Sequence, residues 1–266
     1  DYATKVLGDN PASQLRDWAG LSSLSMNDQV QPEAYVNSGN NANLLLQTAY
    51  SEWGLVGGPY STGDRYAHGK VLATTETLQA AGPWGSNTGF NYKVWSNSAL
   101  SKYFLRKIPY EFEYTDLQAG IGYAHSIFSA FNTDMLLMER AEAYALKGEY
   151  QKAVDDVNTE LSVFSKRNVT LSVDGIKEYY KGIKYYTPKE PTVKKALHPA
   201  FTIDAETQEP VLQCILQLKR ILSMHEGLRM QDVKRYGIVI YRRTLNKNDE
   251  ILDVTDSLTV DDPRRA

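Results

Sequence analysis

The chain has 266 residues, 42% of them hydrophobic, which is enough apolar material for a substantial core in one large domain or two closely packed ones. Its formal net charge of −3 gives no basic field for phosphate neutralisation, which argues against nucleic acid as a partner. A single cysteine, Cys214, excludes an intrachain disulfide and a thiolate metal cluster.

The chain opens with short helical patterns. DYATKVLG is typical of the end of a helix that stops at Gly8, so we expect the natural protein to begin upstream. Asn10 and Pro11 have the residue types of a cap and a first helical position, and predict a helix that runs to about Ala19. Residues 21–43 are rich in Ser, Asn, Gln and Gly, and are predicted to be mostly loop.

Two long loops follow a predicted strand at 44–50. Residues 52–69 and 80–95 combine glycines with aromatic side chains, and a short helix is predicted between them at 72–80. Long loops in compact domains are often functional. Beyond them, aromatic and glutamate residues alternate in YEFEY, the period of a half-buried strand, and Pro109 restricts that strand to a sheet edge or a strand start.

Residues 134–158 carry the strongest pattern in the chain. Apolar residues recur at steps of three and four on both sides of Gly148, which predicts two amphipathic helices joined by a tight turn. Ala141 and Ala153 are small enough for close helix approach. This spacing resembles one tetratricopeptide repeat. The alternative is an ordinary two-helix hairpin in an all-α domain.

The last third of the chain is predicted to be mainly helical. Asp174 is expected to cap a helix that runs to about residue 183, and a proline-containing loop follows at 184–207. The longest predicted helix covers 210–236 and has a broad apolar face, which indicates burial between other elements. A short strand is predicted from 238, followed by a polar tail.

Residue patterns for catalysis or metal binding are weak. The four histidines are scattered, and the oxygen-rich segment at 246–253 lacks the glycine of a calcium loop. There is no nucleophile elbow and no phosphate loop. Glu111 and Glu113 share one strand face and have the chemistry for acid–base work on a sugar, although a solvated strand face is the favoured interpretation. We therefore predict no enzyme activity, no metal and no cofactor, and we expect Cys214 to be a buried structural residue.

The two loops suggest recognition by aromatic rings instead. The weakly polar C–H face of a sugar stacks on an aromatic plane, and its hydroxyl groups need Asn, Asp or Arg partners. The alternative is that some of these rings only anchor the loops to the helical body. The candidate ligand-binding residues are Trp53, Tyr60, Asp64, Arg65, Tyr66, Trp84, Asn87, Phe90, Tyr92 and Trp95.

Several segments in this order carry a resemblance to a known family. EWGLVGGPYSTGDRYAHG, KIPYEFEY, RAEAYALKGEYQKAVDDVN, LKRILSMHEGLRMQDVKRYGI and DDPRRA together resemble the SusD/RagB family of Bacteroidetes surface lipoproteins. The most specific part is a basic pair followed by E-G-x-R, an aspartate and a second basic position. It matches Arg220, Glu226, Gly227, Arg229, Asp232 and Arg235. Leu222 and Met230 depart from the family pattern at what we interpret as packing positions.

The resemblance implies a mainly α fold, with tetratricopeptide-like helical hairpins packed with a loop-rich, irregular portion that contains a few short strands. It implies one domain over 1–266 that lacks its N-terminal helical portion and has its ligand region at about 44–114. It further implies a lipoprotein of the outer membrane, anchored through an upstream cysteine, that captures oligosaccharides for a SusC-like TonB-dependent transporter. A protein-interaction module and a peptide-binding relative are the alternative functions.

Overall fold

The protein is described by a computed structural model that covers residues 2–25, 29–56, 67–97 and 101–265. Its architecture is mixed, with 39% helix and 22% strand, and the described residues form four small antiparallel sheets. The predicted mainly α, tetratricopeptide-like fold is therefore wrong. The short strands were underestimated because small and polar residues interrupt their hydrophobic period.

The chain divides into two compact units. Unit 1 comprises Asp1–Gly69, Phe90–Leu137 and Thr159–Asn168, and unit 2 comprises Lys70–Gly89, Met138–Asn158 and Val169–Ala266. The α-helices of the described residues are α1 (Tyr2–Leu7), α2 (Trp18–Ser23), α3 (Val30–Tyr35), α4 (Trp53–Val56), α5 (Lys70–Thr75), α6 (Thr133–Leu146), α7 (Tyr150–Phe164), α8 (Val173–Lys181), α9 (Gln208–Leu222) and α10 (Arg229–Arg235).

The strands are short except in two hairpins. They are β1 (Asn43–Tyr50), β2 (His68–Gly69), β3 (Ala81–Gly82), β4 (Gly85–Ser86), β5 (Trp95–Asn97), β6 (Lys102–Phe104), β7 (Tyr110–Asp116), β8 (Ile121–Asn132), β9 (Ile240–Leu245) and β10 (Ile251–Leu258). Their sheets have the orders β1-β8-β7, β2-β6-β5, β3-β4 and β10-β9.

The main sheet of unit 1 is built around the β7–β8 hairpin. Asp116 Oδ1 accepts hydrogen bonds from the backbone N–H groups of Gln118 (3.0 Å) and Ala119 (2.9 Å), and Gly120 supplies a positive φ of 67° to the turn. Strand β8 then lies between β7 and β1, antiparallel to both. Strand β7 therefore forms a sheet edge, the position to which Pro109 restricted it.

The predicted half-burial of β7 is wrong. The side chains of Phe112 and Tyr114 are 37% and 55% exposed, and every residue after Tyr110 in this strand is exposed. Alternation shows that the two faces of a strand differ, but it does not show that either face is covered. A sheet of three strands leaves much of its surface to solvent.

The core of unit 1 is an aromatic cluster. The ring of Trp18 lies 4.8 Å from that of Phe164, and Phe90 stacks on Phe164 at 4.3 Å. Trp18 begins α2 because Asp17 accepts a hydrogen bond from Gly20 N–H at 2.8 Å. The helix predicted to run to Ala19 is therefore only a 3₁₀ turn over Pro11–Gln14, and the predicted loop at 21–43 contains the end of α2 and all of α3.

Two helices are observed on either side of Gly148. They are α6 and α7, and Gly148 has the positive φ of 78° that a helix C-terminus often requires. Ala141 and Ala153 are completely buried. Arg140 forms a two-pronged ion pair with Asp156, in which its Nε and Nη2 atoms donate at 2.9 and 2.7 Å.

The single helix predicted at 210–236 is two helices. After α9 the chain leaves helical geometry at Ser223, where φ is positive at His225 (66°) and at Gly227 (79°), and α10 begins at Arg229. The E-G pair of the family-like motif therefore falls in a helix interruption. The apolar period continues across it because both helices contribute to the same core, which hid the break from the sequence.

Other boundaries also differ from those predicted. Helix α5 ends at Thr75, Ser172 caps α8 in place of Asp174, and the predicted polar tail contains strand β10. In the β9–β10 turn, Asn246 Oδ1 accepts hydrogen bonds from the backbone N–H groups of residues 248 and 250. The Asn246 side chain of the oxygen-rich segment therefore stabilises the turn.

Candidate ligand-binding site

The predicted ligand residues lie in different environments. Tyr60, Asp64, Arg65 and Tyr66 lie outside the described residues. Trp53, at the start of α4, is half-buried, as are Tyr92 and Trp95. Trp84 and Asn87 belong to unit 2, whereas the other described candidates belong to unit 1.

Trp84, Asn87 and Phe90 are packing residues. Trp84 is 3% exposed, and its indole N–H donates to Asn87 Oδ1 at 2.7 Å, while Asn87 Nδ2 donates to the carbonyl of Thr77. The neighbouring backbone lies so close that a Cβ on Gly82 would meet the Trp84 ring at 2.3 Å. These rings anchor the second loop, as the alternative interpretation predicted, and they offer no face to a ligand.

The two remaining rings of that loop, those of Tyr92 and Trp95, also contact neighbouring side chains. Tyr92 lies 5.7 Å from Phe164, and burial raises the pKa of its hydroxyl group. The Trp95 ring lies 6.4 Å from Phe104, and the Arg106 guanidinium lies 5.5 Å from it. A cavity beside Trp18, Tyr35 and Tyr92 measures about 40 Å³, close to the volume of one water molecule. It is too small for a sugar ring.

A larger open surface lies on one face of the β1-β8-β7 sheet. Tyr50 is opposite His125 in the register, and His125 is opposite Glu111 on the other side. Residues directly opposite in antiparallel strands share a face. Tyr123 and Glu113 form the next pair on the same face. We name these five residues the tyrosine–carboxylate platform.

The platform combines exposed rings with polar groups. Tyr50 and Tyr123 are 72% and 56% exposed, and their ring centroids lie 5.5 Å apart. The Tyr50 ring also lies 4.5 Å from the His125 ring, and His125 Nε2 lies 2.7 Å from Glu113 Oε2. Beside these residues is an open concavity of about 300 Å³, whose lining includes Glu111 and His125.

The platform has acidic side chains, and its strands contribute no basic ones. Strands β1, β7 and β8 contain no Lys or Arg. The Glu113 carboxylate contacts the His125 ring, and the two side chains form an ion pair when the imidazole is protonated. Glu111 is exposed, and no described residue donates a hydrogen bond to its side chain. The surface therefore offers two adjacent aromatic rings and carboxylate acceptors, whereas His125 Nε2 is buried.

Sequence reasoning recognised only part of this surface. Glu111 and Glu113 were placed on a solvated strand face, and both are exposed. Tyr50, Tyr123 and His125 were missed. The available signal was the alternation of Tyr123, His125 and Ile127, but glycine, alanine and serine between them weaken the contrast between the two faces.

Comparison with known proteins gives no neighbour: no family model, curated protein or solved structure matches the chain. Within the described ranges, no group of three or more His, Cys, Asp or Glu side chains is arranged to hold a metal ion. Cys214 is fully buried, and burial raises the pKa of its thiol. No helix in the described part of the chain is both long and apolar enough to cross a membrane.

Proposed function

We propose that this protein binds an oligosaccharide on the tyrosine–carboxylate platform, without catalysing a reaction. The observation that carries the proposal is the pair of exposed, adjacent rings of Tyr50 and Tyr123 next to Glu113 and His125. Aromatic rings stack on the C–H face of a sugar, and carboxylate groups accept hydrogen bonds from its hydroxyls. An open surface of this kind suits a chain-like ligand better than a small enclosed one.

The resemblance to SusD/RagB lipoproteins is compatible with this role. On that resemblance alone, we propose that the chain belongs to an outer-membrane lipoprotein that passes its ligand to a SusC-like TonB-dependent transporter. Purification from native cell envelopes should then recover it with a TonB-dependent barrel. Recovery from the soluble fraction, with no such barrel attached, would contradict this part of the proposal.

Binding should depend on the two platform tyrosines. A calorimetric screen of plant, host and microbial oligosaccharides is expected to give selective binding, and Tyr50→Ala and Tyr123→Ala should each weaken it about tenfold or more, since each removes one stacking ring. The matched control is Tyr114→Ala. Tyr114 is as exposed as Tyr123, but it lies on the opposite sheet face because it pairs with Gly122.

The screen can also contradict the proposal. If Tyr114→Ala and Tyr50→Ala weaken binding equally, the platform is not the site. If a folded protein binds no oligosaccharide, the protein-interaction and peptide-binding alternatives gain weight. Trp84→Ala is unsuitable as a site probe because its ring is buried, and its loss should lower stability instead.

A further inference from the structure

We infer that the platform selects an amine-bearing glycan, a glucosamine-type oligosaccharide with free amino groups, over neutral and acidic glycans. This inference rests on the proposed function and adds the chemical class of the ligand. It depends on two features of one sheet face, the carboxylates without basic neighbours in the strands and the exposed tyrosine rings.

The chain segments that supply the platform strands contain acidic residues and no basic ones. Residues 17–64 and 108–139 contain no Lys or Arg, although each stretch contains five Asp or Glu residues. Strands β1, β7 and β8 all come from these two stretches. A glycan with carboxylate or sulfate groups would therefore meet like charge here, and no basic side chain in these strands could compensate it.

The aromatic rings add to the same preference. The face of a tyrosine ring carries negative electrostatic potential and attracts a cation positioned over it. Tyr50 and Tyr123 are exposed and meet edge to face at an interplanar angle of 68°, so a cation can reach the ring surface of the pair, and Glu111 is a carboxylate to which no described residue is paired. An ammonium group is attracted by both kinds of group, whereas a neutral hydroxyl gains only hydrogen bonds.

The spacing of these groups favours an oligomer. Tyr50 and Glu111 lie on the outer strands of the sheet with His125 between them. Two strand spacings, about 10 Å, therefore separate their backbones. A ligand that contacts the ring and the carboxylate together must extend across three strands, which a single sugar unit does not do.

The test compares three six-unit ligands by calorimetry at mildly acidic pH, where sugar amino groups are protonated and exposed carboxylates stay ionised: β-1,4-linked glucosamine, its fully N-acetylated counterpart and galacturonic acid. The glucosamine oligomer should bind about tenfold more tightly than the N-acetylated one, since acetylation removes the positive charge. The galacturonic acid oligomer should show no binding. Glu111→Gln should lower the first ratio about threefold, because the tyrosine rings and Glu113 remain, whereas Glu33→Gln, which changes an exposed carboxylate on α3 of the same unit, should leave it unchanged.

The outcomes separate this inference from the function on which it rests. Equal or tighter binding of the N-acetylated oligomer, lost in Tyr50→Ala, overturns the amine preference and leaves glycan capture intact. A preference that Glu111→Gln leaves unchanged overturns the role of this carboxylate. If hexalysine binds as tightly as the glucosamine oligomer and Tyr50→Ala has no effect on either, the attraction is only electrostatic and the inference fails. Absence of binding by all three overturns it as well.

Discussion

Glu160 is an ionisable residue of unit 1 whose side chain is fully buried. It lies on α7, near Asp134 and Arg16. The two terminal nitrogens of Arg16 donate to the carbonyl of Tyr35 (2.8 Å) and to Asn43 Oδ1 (2.7 Å), and its Nε lies 3.8 Å from Asp134 Oδ2. An ionised Glu160 finds no donor among the described residues, whereas a protonated one can share a hydrogen bond with Asp134. Burial, and then the Asp134 charge, raise the pKa of Glu160 well above its usual value.

This raised pKa has a definite effect on stability. Because the folded state holds the proton more tightly than the unfolded state, stability is highest below the unfolded pKa and falls as the pH rises towards the folded pKa. Glu160→Gln should remove this loss and raise the free energy of unfolding at neutral pH by about 1–3 kcal/mol, since an amide needs no proton to donate to Asp134. Urea unfolding across a pH series measures both effects.

The control for Glu160→Gln is Asp155→Asn on the exposed side of α7. It removes a carboxylate from the same helix without changing a buried group, and should shift the unfolding free energy by less than about 0.5 kcal/mol. If Glu160→Gln is instead destabilising and the pH profile keeps its slope, Glu160 is ionised in the folded protein.

At the residue level, the sequence predicted which loops were aromatic but not where each ring lies. Trp84 and Phe90 have the same glycine-rich surroundings in sequence as an exposed ring would have. The burial of Phe90 depends on a partner far away in the chain, Phe164, whereas Trp84 is held by its near neighbours Gly82 and Asn87. Tyr50 was assigned to a strand, and its exposure follows from the number of strands in the sheet rather than from its neighbours. The local sequence pattern shows neither which distant residue covers a ring nor how many strands a sheet contains.

At the level of elements, Lys219 connects three helices of unit 2. Its ammonium on α9 lies 2.7 Å from Glu139 and 2.8 Å from Glu142 on α6, and 2.9 Å from Asp232 on α10. Burial alone would lower the pKa of Lys219, but these three carboxylates together raise it above its usual value. Lys219 precedes Arg220 in the basic pair of the family-like motif, so the first part of that motif has a structural role here.

Replacing this lysine should be costly. Lys219→Met keeps the length of the side chain but leaves Glu142 and Asp232, both buried, without their shared cation. Because Glu142 keeps Arg235 (3.0 Å) and Asp232 keeps Arg229 (3.2 Å), the loss of unfolding free energy should be about 2–3 kcal/mol, below the cost of leaving a buried charge uncompensated. Lys234→Met, at an exposed position of α10, should change it by less than about 0.5 kcal/mol. Similar values for the two variants in urea unfolding would show that the buried cluster contributes little.

The elements that the sequence predicted well are those with long, uninterrupted periodicity. Helices α6, α7 and α9 have apolar residues at steps of three and four over 14 or 15 residues. Strand β8 was not predicted because both of its faces contain small residues, and the break after α9 was not predicted because the apolar period continues across the positive-φ residues His225 and Gly227. Tertiary packing determined these features.

Over the whole molecule, the net charge conceals a strong asymmetry. A value of −3 excludes a general basic field, but it averages acid-only stretches of unit 1 with more basic regions elsewhere. The acid-only stretches supply all three strands of the platform sheet. Overall composition was therefore a poor guide to the chemistry of the surface that we propose for the ligand.

The two candidate locations for the ligand can be separated by hydrogen exchange over the whole chain. If the ligand lies on the platform, saturating glucosamine hexamer should slow amide exchange several-fold in β1, β7 and β8, because bound ligand suppresses local opening. Amides of α9 report on unit 2 and should not change. Slower exchange confined to residues 80–95 would instead assign the ligand to the second aromatic loop. In Tyr50→Ala the protection of β8 should decrease at the same ligand concentration, since that variant removes stacking and lowers occupancy but leaves the sheet hydrogen bonds in place.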